Sequence, residues 1–167
     1  MRSIIAYTNI WEREIDMAAQ TKNRTEDVIA RECLAVRLRM LNRVVTNIYD
    51  DALRPLGVKA SQLNILVVTA KLGLARPADV CKRLQLDTST LSRNVERMRA
   101  RDWLEVVDDD DGRAQPFRLT AQGRRLLERA MPAWEKAQES VKKLIGADAV
   151  ASIDDAVRRI RSDQSSS

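Results

Sequence analysis

A mainly α-helical protein carrying one small β-hairpin is the fold class this sequence predicts, and three observations carry the expectation. Apolar residues recur at alternating steps of three and four along most of the chain, the pattern of amphipathic helices. Only residues 103–119 depart from it, with two short strand-like runs flanking a turn. The length, 167 residues, suffices to bury a core without disulfides or metals, so one ordinary domain is the starting expectation.

Taken in order, residues 1–25 form an N-terminal extension. Ile4, Ile5, Tyr7, Ile10, Trp11 and Ile15 suit an extra helix there, although Met17 is an equally good start. Residues 28–56 read as one long helix, with Leu34, Leu38, Leu41, Val45, Ile48 and Ala52 along one seam and Pro55 and Gly57 marking its end. A helix over 59–72 follows, with Leu63, Leu66, Val67 and Ala70 inward and Gly73 as its stop. A short helix then starts at Pro77, a residue suited to a first helical turn, and carries Val80, Cys81 and Leu84 on one face. After a turn at residues 85–87, Asp87, Thr88 or Ser89 caps a further helix whose Leu91, Val95 and Met98 face inward.

Residues 103–107 and 113–119 read as the two strands of the hairpin, joined by a tight turn over 108–112. Pro116 cannot donate to a ladder, which predicts that the second strand is an edge. Thr120 stands where an N-cap belongs, ahead of a helix over 121–145 with Leu126, Leu127, Ala130, Trp134, Ala137, Val141 and Leu144 as its stripe and Pro132 as an expected kink. Beyond Gly146, the set Val150, Ile153, Ala156, Val157 and Ile160 marks a last helix, and residues 163–167 read as a frayed tail.

Composition narrows the chemistry. Histidine is absent, which removes Ser-His and Cys-His catalysis and the commonest metal ligand. No convergent set of carboxylates, lysine or cysteine replaces it, so an enzyme is not expected, and neither is a cofactor. The run Asp108, Asp109, Asp110, Asp111 makes a poor calcium loop, because Gly112 is misplaced and no glutamate closes the ring. Two cysteines, Cys33 and Cys81, are too few for a disulfide framework, and no leader is visible, which points to the cytoplasm. Charges interrupt every apolar stretch, so no membrane span is expected. With 29 Lys and Arg against 24 Asp and Glu, the net charge of +5 suits a polyanionic partner.

The placement of that charge is more informative. Two short helices joined by a tight turn, the second with a polar face, followed by a hairpin, form the layout of a winged helix-turn-helix. The helix after Asp87 is the reader, and packing against Val80 and Leu84 leaves its outer face free for a major groove. Thr88, Ser89, Thr90 and Ser92 lie near its N-terminus, where hydroxyls and free amides suit phosphate oxygens. Arg93 and Asn94 are of the types that pair with guanine and adenine edges, each good pair conferring about 1–3 kcal/mol of discrimination. Arg97, one turn beyond Arg93, suits a backbone phosphate, while Arg99 and Arg101 either do the same or solvate the helix end.

The run Leu86-Asp87-Thr88-Ser89-Thr90-Leu91-Ser92-Arg93-Asn94-Val95, then Asp111-Gly112-Arg113, then Arg118-Leu119-Thr120-Ala121-Gln122-Gly123, resembles the MarR family of bacterial transcription regulators. The resemblance implies that Arg113 enters the minor groove from the wing, with Asp111 holding the basic side chains in place. It also implies an intertwined helical homodimer built from residues 26–56 and 121–162, carrying DNA-binding lobes over 57–120 that read a pseudo-palindromic operator in double-stranded DNA. Repression relieved by a small-molecule effector is the family's commoner habit. Arg39, Arg43 and Tyr49 are the candidates to line an effector cleft, or else form salt bridges and dimer contacts. A redox role for Cys33 is the alternative within the family, and a helical protein-interaction module without specific DNA binding is the alternative outside it.

Overall fold

The computed structural model describes residues 24–107 and 115–165. The expected N-terminal helix and the hairpin turn with Asp111 and Arg113 therefore lie outside the described residues. The described elements are α1 (Thr25–Glu32), α2 (Leu34–Leu53), a 3-10 turn (Arg54–Leu56), α3 (Ala60–Leu72), α4 (Pro77–Leu84), α5 (Thr88–Arg99), β1 (Leu104–Val106), β2 (Phe117–Leu119), α6 (Ala121–Ile145) and α7 (Ala147–Ser165). By internal contacts the chain divides into two units, Met1–Val44 and Val45–Ser167.

In the first unit, the single helix expected over 28–56 is broken. Cys33 takes an extended conformation (ψ 105°) and closes α1 by donating its N–H to the Ile29 carbonyl. No glycine or proline marks the break, which is why periodicity runs straight through it. The Arg31 carbonyl, orphaned by the break, accepts from the Arg37 guanidinium instead. Ile29, Leu34 and Leu38 remain 58%, 68% and 63% exposed, an apolar stripe facing outward.

The second unit holds the core, in which Leu53, Ile65, Leu66, Ala75, Val80 and Met98 are wholly buried and Leu91 and Phe117 nearly so. Helix α3 is fastened at its start, where the Ala60 amide donates to Asp50 Oδ1 (2.7 Å) and the Lys59 amide to Gln62 Oε1 (3.1 Å). Its inward face differs from expectation: Ile65 and Thr69 are buried while Val67 is exposed. The helix is apolar on nearly every side, so spacing alone selects no unique face. Thr69 is tolerated inside because its hydroxyl donates to the Ile65 carbonyl at 2.8 Å.

The hairpin pairs antiparallel, Leu104 with Leu119, Glu105 with Arg118 and Val106 with Phe117. Strand β2 is not an edge, contrary to the expectation from Pro116. Its far side exchanges two hydrogen bonds with Ala75, through Ala75 N to Phe117 O (2.8 Å) and Phe117 N to Ala75 O (2.9 Å). Pro116 lies just before the strand and contributes only its carbonyl, which accepts from Val107 N at 2.8 Å. The missing proline donor thus falls where no central ladder needs it.

Thr120 explains the start of α6. Its oxygen accepts from the Gly123 amide at 3.0 Å, and its hydroxyl donates to the Asp102 carbonyl at 2.5 Å. Gly123 is required by proximity: a Cβ there would stand 2.1 Å from the Trp103 carbonyl oxygen. Pro132 sits inside α6, which continues through it to Ile145. Along α7, Ile153, Val157 and Ile160 are 39%, 38% and 56% exposed, a second outward apolar stripe.

Candidate nucleic-acid interface

The candidate reading helix, α5, is mounted through α4 and its turn. Gln85 ends α4 in the left-handed region (φ 52°), and the Leu86 amide returns to the Cys81 carbonyl at 3.1 Å, so the chain reverses within three residues. From that turn α5 sets out with Leu91 and Met98 buried and Val95 packed on the core. Ser89, Ser92, Arg93, Arg97 and Arg99 are exposed on its other sides. Burial of one face therefore fixes the direction in which the polar face looks.

Of the three candidate caps, Asp87 is the one used. Its Oδ1 accepts from the Thr90 amide (2.7 Å) and from the Ser89 hydroxyl (2.6 Å), and its Oδ2 accepts from the Thr90 hydroxyl (2.7 Å). The side-chain hydrogen bonds from Ser89 and Thr90, with that from the Thr90 amide, hold the Asp87 carboxyl well below the usual carboxylate range. Thr88, Ser89, Thr90 and Ser92 gather on the first turn as expected, but two of their hydroxyls are already engaged within the protein. Sequence reasoning placed Asp87 only as a cap. A carboxylate two and three residues ahead of two hydroxyls was the signal for its wider grip.

The proposed base readers are also folded back along the helix. Arg93 donates from Nε to the Ser89 carbonyl (3.1 Å) and from Nη2 to the Ser89 hydroxyl (3.2 Å). Asn94, half-buried, donates from Nδ2 to the Thr90 carbonyl at 2.9 Å. Both heads consequently lie level with the first turn, the end of a recognition helix that approaches base edges. Arg101 turns out to be structural. Its guanidinium lies 5.0 Å from the Trp103 ring centroid and donates to the Gly57 carbonyl, and its own carbonyl accepts from Gln122 Nε2 at 3.2 Å.

Beside this face is a cavity of about 600 Å³ whose lining includes Arg76, Thr88, Ser92, Glu96, Arg99 and Gln115. An apolar groove of about 540 Å³ runs between α3 and α6, lined by Leu63, Val67, Leu127, Met131 and Trp134 among others. Tyr49 lines neither. It is half-buried, its hydroxyl donates to Gln138 Oε1, and burial raises its ionisation above the usual value. Arg39 and Arg43 are exposed on α2 within the first unit, and Cys33 is half-buried at the helix break. Among the described residues no helix is long and apolar enough to cross a membrane.

Comparison with known proteins agrees with this geometry. The sequence model of the MarR family matches residues 56–114. The multiple antibiotic resistance protein MarR of Salmonella typhimurium is 27% identical over 124 residues, covering 72% of this chain and 85% of that protein. Among solved structures, the transcriptional regulator MOSR of M. tuberculosis in complex with DNA shares 30% identity with a TM-score of 0.65, covering 78% of this chain and 99% of that one. A mutant of E. coli MarR complexed with operator DNA superposes with a TM-score of 0.70 at 21% identity, covering 80% of this chain and 96% of the other. On these matches the chain belongs to the MarR family of transcription regulators.

Proposed function

We propose that this chain works in the cytoplasm as a homodimeric repressor that reads a pseudo-palindromic operator in double-stranded DNA and releases it when a small-molecule effector binds. The observation that carries the reading is the two-sided character of α5: Leu91 and Met98 anchor it in the core while Ser89, Ser92, Arg93 and Arg97 stand outside. In this role the hydroxyls of Thr88 and Ser92 meet phosphates and set register, while Ser89 and Thr90, whose hydroxyl protons go to Asp87, shape the turn that presents them. Arg93 and Asn94 read base edges, and Arg97 holds a backbone phosphate. Arg113 serves the minor groove, where a narrow groove attracts arginine through its enhanced negative potential, and Asp111 assists the basic side chains in that role.

Residues 57–120 act as the reading lobe, and residues 26–56 with 121–162 join the protomers. The outward stripes of α2 and α7 support this division, since surfaces of that kind are stabilised by covering them with a second copy. Two lobes related by a two-fold axis read half-sites about 34 Å apart. Light scattering with footprinting on the DNA upstream of the protein's own gene tests the proposal. A dimer protecting a two-fold-symmetric site is expected. A monomer, or a protein that binds no duplex at low salt, refutes it.

A further inference from the structure

We infer that Asp87 is a specificity-determining positioning residue: acting through the Ser89 hydroxyl, it presets the Arg93 guanidinium at the reading end of α5. The inference rests on the DNA-reading proposal above and deepens it. A hydrogen-bond relay runs along the exposed surface of the first turn. Ser89 Oγ gives its one proton to Asp87 Oδ1 at 2.6 Å, which leaves the same oxygen's lone pairs free to accept from Arg93 Nη2 at 3.2 Å. The Ser89 carbonyl accepts from Arg93 Nε at 3.1 Å, so the guanidinium is gripped at two points on one residue. Without the carboxylate, the Ser89 hydroxyl is free to rotate and to donate elsewhere, and one of the two grips loses its direction.

Arginine otherwise carries large rotamer freedom, which must be surrendered when it forms a planar pair with a base. A guanidinium already level with residue 89 surrenders less of it. Immobilising one such side chain ordinarily lowers affinity about 2- to 10-fold, and that is the factor the relay spares for correct DNA. Non-operator DNA, held through phosphates, gains nothing from the preset orientation. The relay therefore acts on the ratio of the two affinities.

Two substitutions separate this role from helix capping and from charge. Serine and asparagine are both good N-caps, so Asp87→Ser and Asp87→Asn each keep α5 capped, and each removes the same negative charge from the DNA-facing side. Asparagine retains the Oδ1 acceptor that orients Ser89, whereas the shorter serine does not reach it. Full-length protein is titrated with a duplex that the wild type selects from a random pool and with a shuffled duplex of equal length. D87S is expected to lower the selected-to-shuffled affinity ratio about 2- to 10-fold, measured well below its melting temperature so that both proteins are fully folded. D87N is expected to retain the wild-type ratio, and in an Arg93→Ala background D87S is expected to have no further effect on it. A D87S ratio equal to wild type, an equal fall in D87N, or the same D87S effect without Arg93 overturns this inference alone. A wild type that selects no duplex overturns the DNA reading first, and this inference with it.

Discussion

Replacing Gly123 by alanine tests the packing that seats α6 beneath the hairpin. Helix propensity alone favours the change, since alanine is better than glycine inside a helix by about 1 kcal/mol. The structure predicts the opposite sign. The new Cβ would stand 2.1 Å from the Trp103 carbonyl oxygen, so the first turn of α6 must retreat by roughly 1 Å to restore an ordinary contact. Retreat pulls on the Thr120 amide's bond to that same carbonyl (3.2 Å) and on the Thr120 hydroxyl's bond to Asp102 (2.5 Å). It also loosens Leu126 and Trp103, each 6% exposed. Overpacking of this kind costs about 1–3 kcal/mol and a lost cap about 1 kcal/mol more. After the propensity gain, a net loss of about 1–3 kcal/mol remains. For a chain of this size that lowers Tm by roughly 3–10 °C. Thermal melts followed by circular dichroism, at fixed protomer concentration because a dimer's Tm depends on it, measure the shift. Arg125→Ala, exposed two residues along the same helix, is the control and is expected to stay within about 0.5 kcal/mol of wild type. An unchanged or raised Tm for Gly123→Ala would refute the close approach as the reason glycine stands there.

Three further expectations follow from the same geometry. Arg93→Ala weakens operator binding by about 1–3 kcal/mol and relaxes preference at one base pair, whereas Arg97→Ala weakens all sequences alike and lowers the salt slope by about 1; matched, sequence-blind losses in a binding titration would mean the base reader is elsewhere. Leu38→Asp, on the outward stripe of α2, raises the dimer dissociation constant roughly 10- to 100-fold by the burial value of one leucine, and sedimentation showing an unaltered dimer would exclude that stripe from the interface. Acid and alkaline limbs of the pH–stability curve respond to different side chains. Because Asp87 is held below its ordinary value, its contribution persists down to the usual carboxylate range near about pH 4 and is lost as pH falls further, so Asp87→Ser flattens the slope below that point. Tyr49 is raised, so its contribution is complete below about pH 10 and is lost as pH climbs through the folded value; Tyr49→Phe removes that alkaline loss, and an unchanged alkaline limb in denaturant titrations would contradict it.

The starts of α4, α5 and α6 were legible in the sequence because local chemistry there agrees with the fold. Pro77 opens α4, Asp87 caps α5 and Thr120 caps α6, each by a side-chain or backbone property that acts within three residues. Where the deciding contact is distant, the sequence said less. The break at Cys33 has no local breaker and is satisfied by Arg37 reaching back to Arg31. The second partner of β2 is Ala75, some forty residues earlier in the chain, which no hairpin pattern announces. On α3 an all-round apolar surface left the choice of face to tertiary packing, and Ile65 and Thr69 went inward in place of Val67. In the candidate interface, residue types singled out the helix that begins at Thr88, but not which hydroxyls are already occupied, because Ser89 and Thr90 serve Asp87 in the free protein.

The tie made by Arg101 has a mechanical consequence. One side chain stacks on Trp103 and reaches the Gly57 carbonyl, while its own backbone oxygen is held by Gln122. The base of α5, the loop ahead of α3 and the root of α6 are thereby riveted at a single point. A signal that re-aims the reader must then swing these three segments together, as a crank turns with its shaft, rather than bend α5 on its own.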